Sequence, residues 1–436
     1  MSIGILTFHS QLNYGGVLQA WALQQALVWL LEKERRGGLG DVQVIDRWMD
    51  PWNKTLRGDS VFYHWRDWFK YVFRLMLLLG DWSPNLRCSR TVRFIARRLN
   101  LTPYHFYKWE EVGESVKGYS SFDVVVVGSD QVWHAGKWGD PRPYLLEGLN
   151  PSEYCSRAVA YAASFGFTEL QTGQLETAAE LGLGNRTELL PTGETLGMIY
   201  RRGLARFSAI SCREAEGVRV AERFGVSGAV HVVDPTLLAP QEIWEEFRPR
   251  WSHCRPRLFV YLLGMSVESA IPRLAEFSKE SGWGVDVFLN GPPSNLWYSP
   301  LPCSLKRLKT WWKALRFRHG ERVRLRADAG PEEFLRAIAA ADGVVSNSFH
   351  ALMFSIIYRR NVRILRPKDE ARRAMFARIA EFADHACGPL LVDGLEEALR
   401  SLRDESAPVF DEDWLEQRRE FSRNWLRQAI KEATCR

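Results

Sequence analysis

At 436 residues the chain is longer than one hydrophobic core usually holds, and two domains follow. Its 46% hydrophobic and 25% charged residues are those of a soluble globular protein, which excludes a fibrous or disordered chain. The net charge of +6 suits a partner bearing phosphate or carboxylate, but it is dispersed and attached to no recognisable module, so nucleic acid is not expected.

Residues 3–8 predict a first buried strand and residues 17–31 a long helix behind it. The strand begins directly after Met1-Ser2, so no secretory signal is expected. Seven scattered cysteines without a Cys-x-x-Cys pair suggest reduced thiols and a cytoplasmic setting. Between strand and helix, His9-Ser-Gln-Leu-Asn-Tyr-Gly-Gly16 is a polar turn. Its paired glycines let a backbone approach a ligand, and the helix start behind them suits an anion; a tight turn needing left-handed residues is the alternative. It is neither a Walker loop nor a Gly-x-Gly-x-x-Gly fingerprint.

A second strand is expected at 42–46. Residues 52–108 are aromatic and basic, with an amphipathic helix at 62–79 and a second basic stretch at 90–99. Two readings apply: a helical hairpin packed on the sheet, or peripheral contact with the inner membrane surface or a lipid-linked acceptor. The longest apolar run, 71–79, is interrupted by Arg74 and too short to span a bilayer.

Strands at 122–128 and 158–164 end in Ser129-Asp130-Gln131 and in Ser164-Phe-Gly166, polar ends that packing alone does not explain. Residues 207–211 predict a strand that turns into a helix at Arg213. A guanidinium there either holds a carboxylate or phosphate bidentately or pairs with Glu214 or Asp234. One more strand is expected over 230–238, and 239–257 reads as an interdomain connection.

Alternation restarts with a strand at 258–264, a helix at 268–282, a strand at 284–289, a basic irregular stretch at 292–320, a strand at 323–325 and a helix at 330–341. Residues 341–346 then predict a buried strand, and Asn347, Ser348 and His350 fall at its junction with an apolar helix. The first turn of that helix offers free N–H groups and a positive dipole end to an anion, and biases His350 toward its neutral form. Alternatively, Ser346 or Asn347 merely caps the helix and His350 is a half-buried side chain. A strand at 362–365, a helix at 369–383, a strand at 390–392 and a helix at 412–432 complete the chain. The fold class is α/β: two Rossmann-like domains facing across a cleft, over 1–240 and 257–411, with a C-terminal helix at 412–436 available to pack back on the first.

Taken together, these turns resemble the polysaccharide pyruvyl transferase family. The resemblance rests on Asn13-Tyr-Gly-Gly-Val-Leu-Gln-Ala-Trp-Ala-Leu23, Val127-Gly-Ser-Asp-Gln-Val-Trp133, Tyr161-Ala-Ala-Ser-Phe-Gly166, Ser211-Cys-Arg-Glu214, Asp234-Pro-Thr-Leu-Leu238, Gly330-Pro-Glu-Glu-Phe334 and Ser346-Asn-Ser-Phe-His350, in the family's order. It implies a GT-B-like fold and transfer of a pyruvyl group from phosphoenolpyruvate to sugar hydroxyls of a polysaccharide or its oligosaccharide precursor, as a ketal. By the same resemblance Arg213 is the donor-binding arginine and His350 the catalytic histidine. Asp130 is a partner or base. Asn13, Tyr14, Gly15, Gly16, Gln19, Ser129, Gln131, Ser164, Gly166, Asn347 and Ser348 are assigned to substrate binding. No cofactor or metal is demanded, because arginine and helix termini can neutralise the phosphate.

The chain departs from the family pattern at Ala351, at Cys212, in the interval between Gly166 and Ser211, and in the aromatic insert; these departures leave the acceptor less defined than the donor. Two rivals remain on sequence grounds: a GT-B glycosyltransferase using a nucleotide sugar, and a non-catalytic carbohydrate-binding protein whose 18 tryptophans stack on sugars.

Overall fold

The computed structural model describes residues 1–10, 13–34, 38–47, 84–103, 122–134, 141–147, 155–166, 196–250, 254–264, 267–289, 322–326, 328–367, 370–404 and 406–435. Its first sheet comprises β1 (Ile3–Leu6), β2 (Val42–Val44), β3 (Phe122–Val127), β4 (Cys155–Ala163), β5 (Phe207–Cys212) and β6 (Val230–His231). All pairings are parallel, in the order β2-β1-β3-β4-β5-β6. Runs such as Phe122-Asp-Val-Val-Val-Val127 are what a strand covered on both faces requires. Parallel neighbours need a crossover, and α1 (Tyr14–Lys33) supplies the first.

The second sheet is parallel too, with β7 (Arg257–Tyr261), β8 (Gly284–Phe288), β9 (Val323–Arg326), β10 (Gly343–Ser346), β11 (Asn361–Leu365) and, after a short β12 (Ala386–Cys387), β13 (Leu391–Val392). Its order is β13-β11-β10-β7-β8-β9, and β12 pairs antiparallel with β14 (Val409–Phe410) outside both sheets. Strand order reverses between β1 and β3 in the first sheet and between β7 and β10 in the second. Such switch points open a crevice at the carboxyl ends of the strands.

The helices after α1 are α2 (Pro84–Arg98), α3 (Leu196–Leu204), α4 (Ala215–Arg223), α5 (Pro235–Leu238), α6 (Glu242–Glu245), α7 (Val267–Ser281), α8 (Pro331–Ala340), α9 (Phe349–Tyr358), α10 (Glu370–Asp384), α11 (Leu395–Asp404) and α12 (Glu412–Cys435). Among the described residues none is long and apolar enough to cross a membrane.

The seam between the sheets is apolar and continuous, for one buried cluster draws on α1, α8 and α9 alike. Tyr14 stacks on Phe334 at 4.5 Å between centroids, and its hydroxyl donates to the Ala329 carbonyl at 2.9 Å. Burial pushes that phenol up to about 12.

Helix α2 straps the seam from outside. Arg87 donates to the Leu289 carbonyl at 2.7 Å and lies over the Tyr14 ring, while Arg90 pairs with Asp328 at 2.5 Å and Glu333 at 3.3 Å. Phe94 and Ile95 of the same helix are buried. This end of the aromatic insert therefore joins the two domains; the 62–79 stretch and the basic stretch at 292–320 lie outside the described residues.

The strand expected over 230–238 stops at His231. Asp234 accepts from the Thr236 amide at 2.9 Å and the Thr236 hydroxyl at 2.7 Å, and Pro235 takes the first helical position. A cap followed by proline starts a helix, so the apolar Val232-Val233 pair does not extend the strand. Helix α12 returns to the first sheet, burying Leu415, Leu426, Ala429 and Ile430.

Candidate active site

Three turns of the first domain converge at its switch point. After β3 the chain passes through Gly128, at φ 118°, where a Cβ would lie 2.2 Å from the Tyr161 carbonyl oxygen. Asp130 follows at φ 73°, a left-handed conformation that aspartate tolerates better than bulky residues. Its carbonyl accepts from the Ser164 amide at 3.0 Å, tying the β3 turn to the end of β4.

Gln19, one turn into α1, joins this turn to β1. Its amide donates to Thr7, to the Phe8 carbonyl and to the Gly16 carbonyl at 2.9–3.1 Å, and its oxygen accepts from the Ser129 amide at 3.3 Å. Ser129 in turn directs its hydroxyl to Asp234 at 3.4 Å.

Arg213 is the hub. Its side chain is wholly buried, donates to Asp234 at 3.2 Å and to Asp130 at 3.3 Å, and has Glu214 at 3.7 Å from Nε. Glu214 also accepts a short hydrogen bond from Ser164. Burial works to raise the Asp130 carboxyl, yet Arg213, His350 and Arg378 together hold it below its ordinary 3.8. A buried guanidinium ringed by carboxylates is the ordinary way to keep such a charge out of water.

The second domain delivers α9. Ser348 is the cap, accepting from the Ala351 amide at 3.5 Å. Asn347 clamps the end of β7, accepting from the Leu263 amide at 2.6 Å and donating to its carbonyl at 3.0 Å. Phe349 then presents its ring to two guanidiniums, Arg213 at 5.2 Å and Arg378 of α10 at 5.0 Å. The Arg378 Nε is buried with no hydrogen-bond partner, and burial together with repulsion from Arg213 brings this side chain down to about 10.

His350 lies where the two domains touch. It is 8% exposed, its Nε2 has no hydrogen-bond partner, and that nitrogen is 3.8 Å from Asp234 Oδ2. Burial depresses its pKa, outweighing the pull of Asp234 and Asp130, so the ring is neutral at pH 7. Desolvation is the main cause of that depression, with the Arg213 and Arg378 guanidiniums adding to it.

The start of α1 lies against this ring. A Cβ on Gly15 would be 2.2 Å from His350 Nδ1, so the glycine is demanded by close approach. Gly15→Ala is expected to cost about 1–3 kcal/mol of stability by overpacking and to lower turnover by about 10²-fold through a displaced imidazole. Thermal denaturation and steady-state rates check this; an alanine variant with wild-type kinetics contradicts it.

Of the residues singled out from sequence, the structure gathers Asp130, Ser129, Arg213 and His350 around Asp234, with Gly15 and Gly16 at the start of α1 beside them. Gln131 and Ser164 sit one residue from that cluster, Ser164 on Glu214; Gly166 (φ 71°) donates its amide to Ser164 and backs onto Gln131. Asn13 caps α1 by accepting from the Gly15 amide at 3.1 Å. Tyr14, Gln19 and Asn347 have their polar groups committed to the scaffold. Arg378 escaped the sequence reading, and Asp234 and Glu214 entered it as partners for Arg213 and within the motifs of the resemblance, without a site role of their own.

Similar architecture occurs in the UDP-N-acetylglucosamine 2-epimerase of Rickettsia bellii, at 9% identity and TM-score 0.52 over 99% of this chain and 96% of that one. The UDP-GlcNAc 2-epimerase of Methanocaldococcus jannaschii gives 13% identity and TM-score 0.50 over 93% and 92%. At such identities the likeness concerns the fold alone, and that fold is GT-B-type, two parallel α/β domains with the cluster at their switch points. No curated protein sequence matches this chain. Residues 13–369, however, match the polysaccharide pyruvyl transferase family, and the chain belongs to it.

Proposed function

We propose that the protein transfers the pyruvyl group of phosphoenolpyruvate to two hydroxyls of a saccharide acceptor, forming a ketal and releasing phosphate. The observation that carries this reading is the neutral, unpartnered His350 Nε2 beside Asp234, at the meeting of two helix starts and two arginines.

A donor with a phosphate and a carboxylate needs positive ends that are not already consumed. Arg213 is partly neutralised by Asp130, Asp234 and Glu214, so Arg378 and the first turns of α1 and α9 support anion binding alongside it. An acceptor hydroxyl hydrogen-bonded to His350 Nε2 can lose its proton to the ring as its oxygen attacks C2 of the donor, and Asp234 stabilises the imidazolium so formed. The imidazolium passes that same proton to the methylene carbon as the C2–O bond forms, so the methylene becomes the methyl group and His350 returns to its neutral form. The C2–O bond to phosphate then breaks, the second hydroxyl attacks C2, and its proton leaves with the phosphate. Two hydroxyl protons are thereby accounted for, one on carbon and one on phosphate.

Phosphate release from phosphoenolpyruvate by the purified protein, with free and lipid-linked oligosaccharides as acceptors, tests this reading. Acceptor-dependent release is expected. Binding of a nucleotide sugar with no response to phosphoenolpyruvate would overturn it.

A further inference from the structure

His231 closes the short strand β6, beside Cys212 in the parallel register that joins β6 to β5. It belongs to none of the turns that form the cluster, yet its Nε2 lies 3.0 Å from the Arg213 carbonyl oxygen. On the other side of the same α-carbon, the Arg213 amide donates to the Ala163 carbonyl at 3.3 Å. Both peptide groups that flank Arg213 are therefore held, and the direction in which its side chain leaves the backbone is set. That direction is what brings the guanidinium within reach of both Asp130 and Asp234.

A second contact comes from the other domain. Glu381 Oε2 is 3.3 Å from the same ring nitrogen. Glu381 follows Arg378 by three residues on α10, a spacing that places the two on one helix face. One helix thus carries the second guanidinium of the site and the acid that meets the residue holding the first. A ring nitrogen that faces two oxygens carries the proton, which fixes the tautomer. Burial and the neighbouring Arg418 push this histidine down to about 4, so near pH 7 the ring is neutral and shares one N–H between carbonyl and carboxylate. Arg418 of α12 also donates to the His231 carbonyl at 3.1 Å, anchoring the residue from behind the sheet.

We propose that His231 is a positioning residue for Arg213, and that Glu381 makes this positioning depend on α10 being docked against the first domain. The inference deepens the pyruvyl transfer reading and rests on it for its kinetic consequence, though not for its geometry.

The test uses the full chain with His231→Ala, His231→Gln and Glu381→Ala. In the unliganded protein the Arg213 Nε–H resonance, assigned by its loss in Arg213→Lys, reports the guanidinium directly. It is expected to shift in His231→Ala and in Glu381→Ala, and to return near its original position in His231→Gln, whose amide nitrogen reaches the same carbonyl. With phosphoenolpyruvate, KM should rise by up to about tenfold in His231→Ala, the scale of one lost neutral hydrogen bond, while kcat changes much less.

An unmoved Arg213 resonance in a folded His231→Ala protein overturns the proposal whatever the donor is. A resonance that moves as expected, in a protein that binds no phosphoenolpyruvate, supports the positioning role and counts against the donor assignment alone. Should His231→Ala fail to fold, Glu381→Ala decides: a resonance and a KM both unchanged overturn the coupling.

Discussion

His350→Ala is expected to lower turnover by roughly 10³-fold, the range for loss of a positioned acid–base group, while leaving the fold in place. The imidazole Nε2 makes no hydrogen bond that the folded chain needs, and the cap of α9 belongs to Ser348. What disappears is an edge contact with Phe349 at 5.5 Å between centroids and the packing against Gly15. Phosphoenolpyruvate binding should persist, because the arginines remain. Single-turnover phosphate release beside a donor titration separates the two effects, and normal release from the variant would remove His350 from the chemistry.

The wild-type pH profile carries the same assignment. Burial lowers this histidine, so its active neutral form persists below 6.5 and the acid limb of kcat/KM should fall at lower pH than an exposed histidine would give. An acid limb above 6.5 would contradict a neutral resting imidazole.

Arg213→Met is expected to destabilise the protein by about 3–5 kcal/mol, because breaking a buried ion cluster strands its partners. Asp130, Asp234 and Glu214 would be left facing one another, with Arg378 the remaining guanidinium acting on all three among the described residues. Asp130 loses the strongest influence that now holds its carboxyl down against burial. The sign follows from linkage: a carboxylate with a depressed folded pKa contributes stability above its unfolded value, and that contribution is lost as pH falls through the folded pKa. The methionine variant should therefore lose part of the wild-type stability difference between neutral and acid pH. Arg213→Lys retains a charge but not the fork that reaches Asp130 and Asp234 together, so an intermediate loss and a weakened donor KM are expected. Chemical denaturation of both variants beside wild type at pH 7 and at a pH below 3.8 checks the order; a methionine variant as stable as wild type would show that the cluster is held by something other than this guanidinium.

Much of this arrangement was legible in the residues. Buried strands such as 122–127 and the polar turns after them announce themselves, because apolar runs ended by serine, aspartate and glycine serve few purposes in a sheet. Side-chain destinations were not legible. Tyr14, Gln19 and Asn347 stand in the right turns, yet their hydrogen bonds run to Ala329, Phe8 and Leu263, partners that sequence neighbourhood does not reveal.

Arg378 was hidden for the opposite reason. It lies in a helix that also contains Arg372 and Arg373, and pattern alone does not separate a buried guanidinium from a solvated one. Asp234-Pro235-Thr236 did hold a readable helix start, which the apolar residues before it obscured.

Helix α12 has a consequence for how the protein is made. It covers the first sheet, with Trp425 near Tyr161 and Ser422 accepting from the Val233 amide at 3.0 Å. Yet the entire second domain is synthesised between that sheet and its cover. The first domain emerges from the ribosome with β3, β4 and β5 lacking the cover that α12 gives them, and they go without it until the second domain has been made. Folding of this chain is therefore not a matter of one domain finishing before the next begins. The early half has to be kept from aggregating while the late half is translated, so slowing elongation across the second domain should burden chaperones more than slowing it before β7.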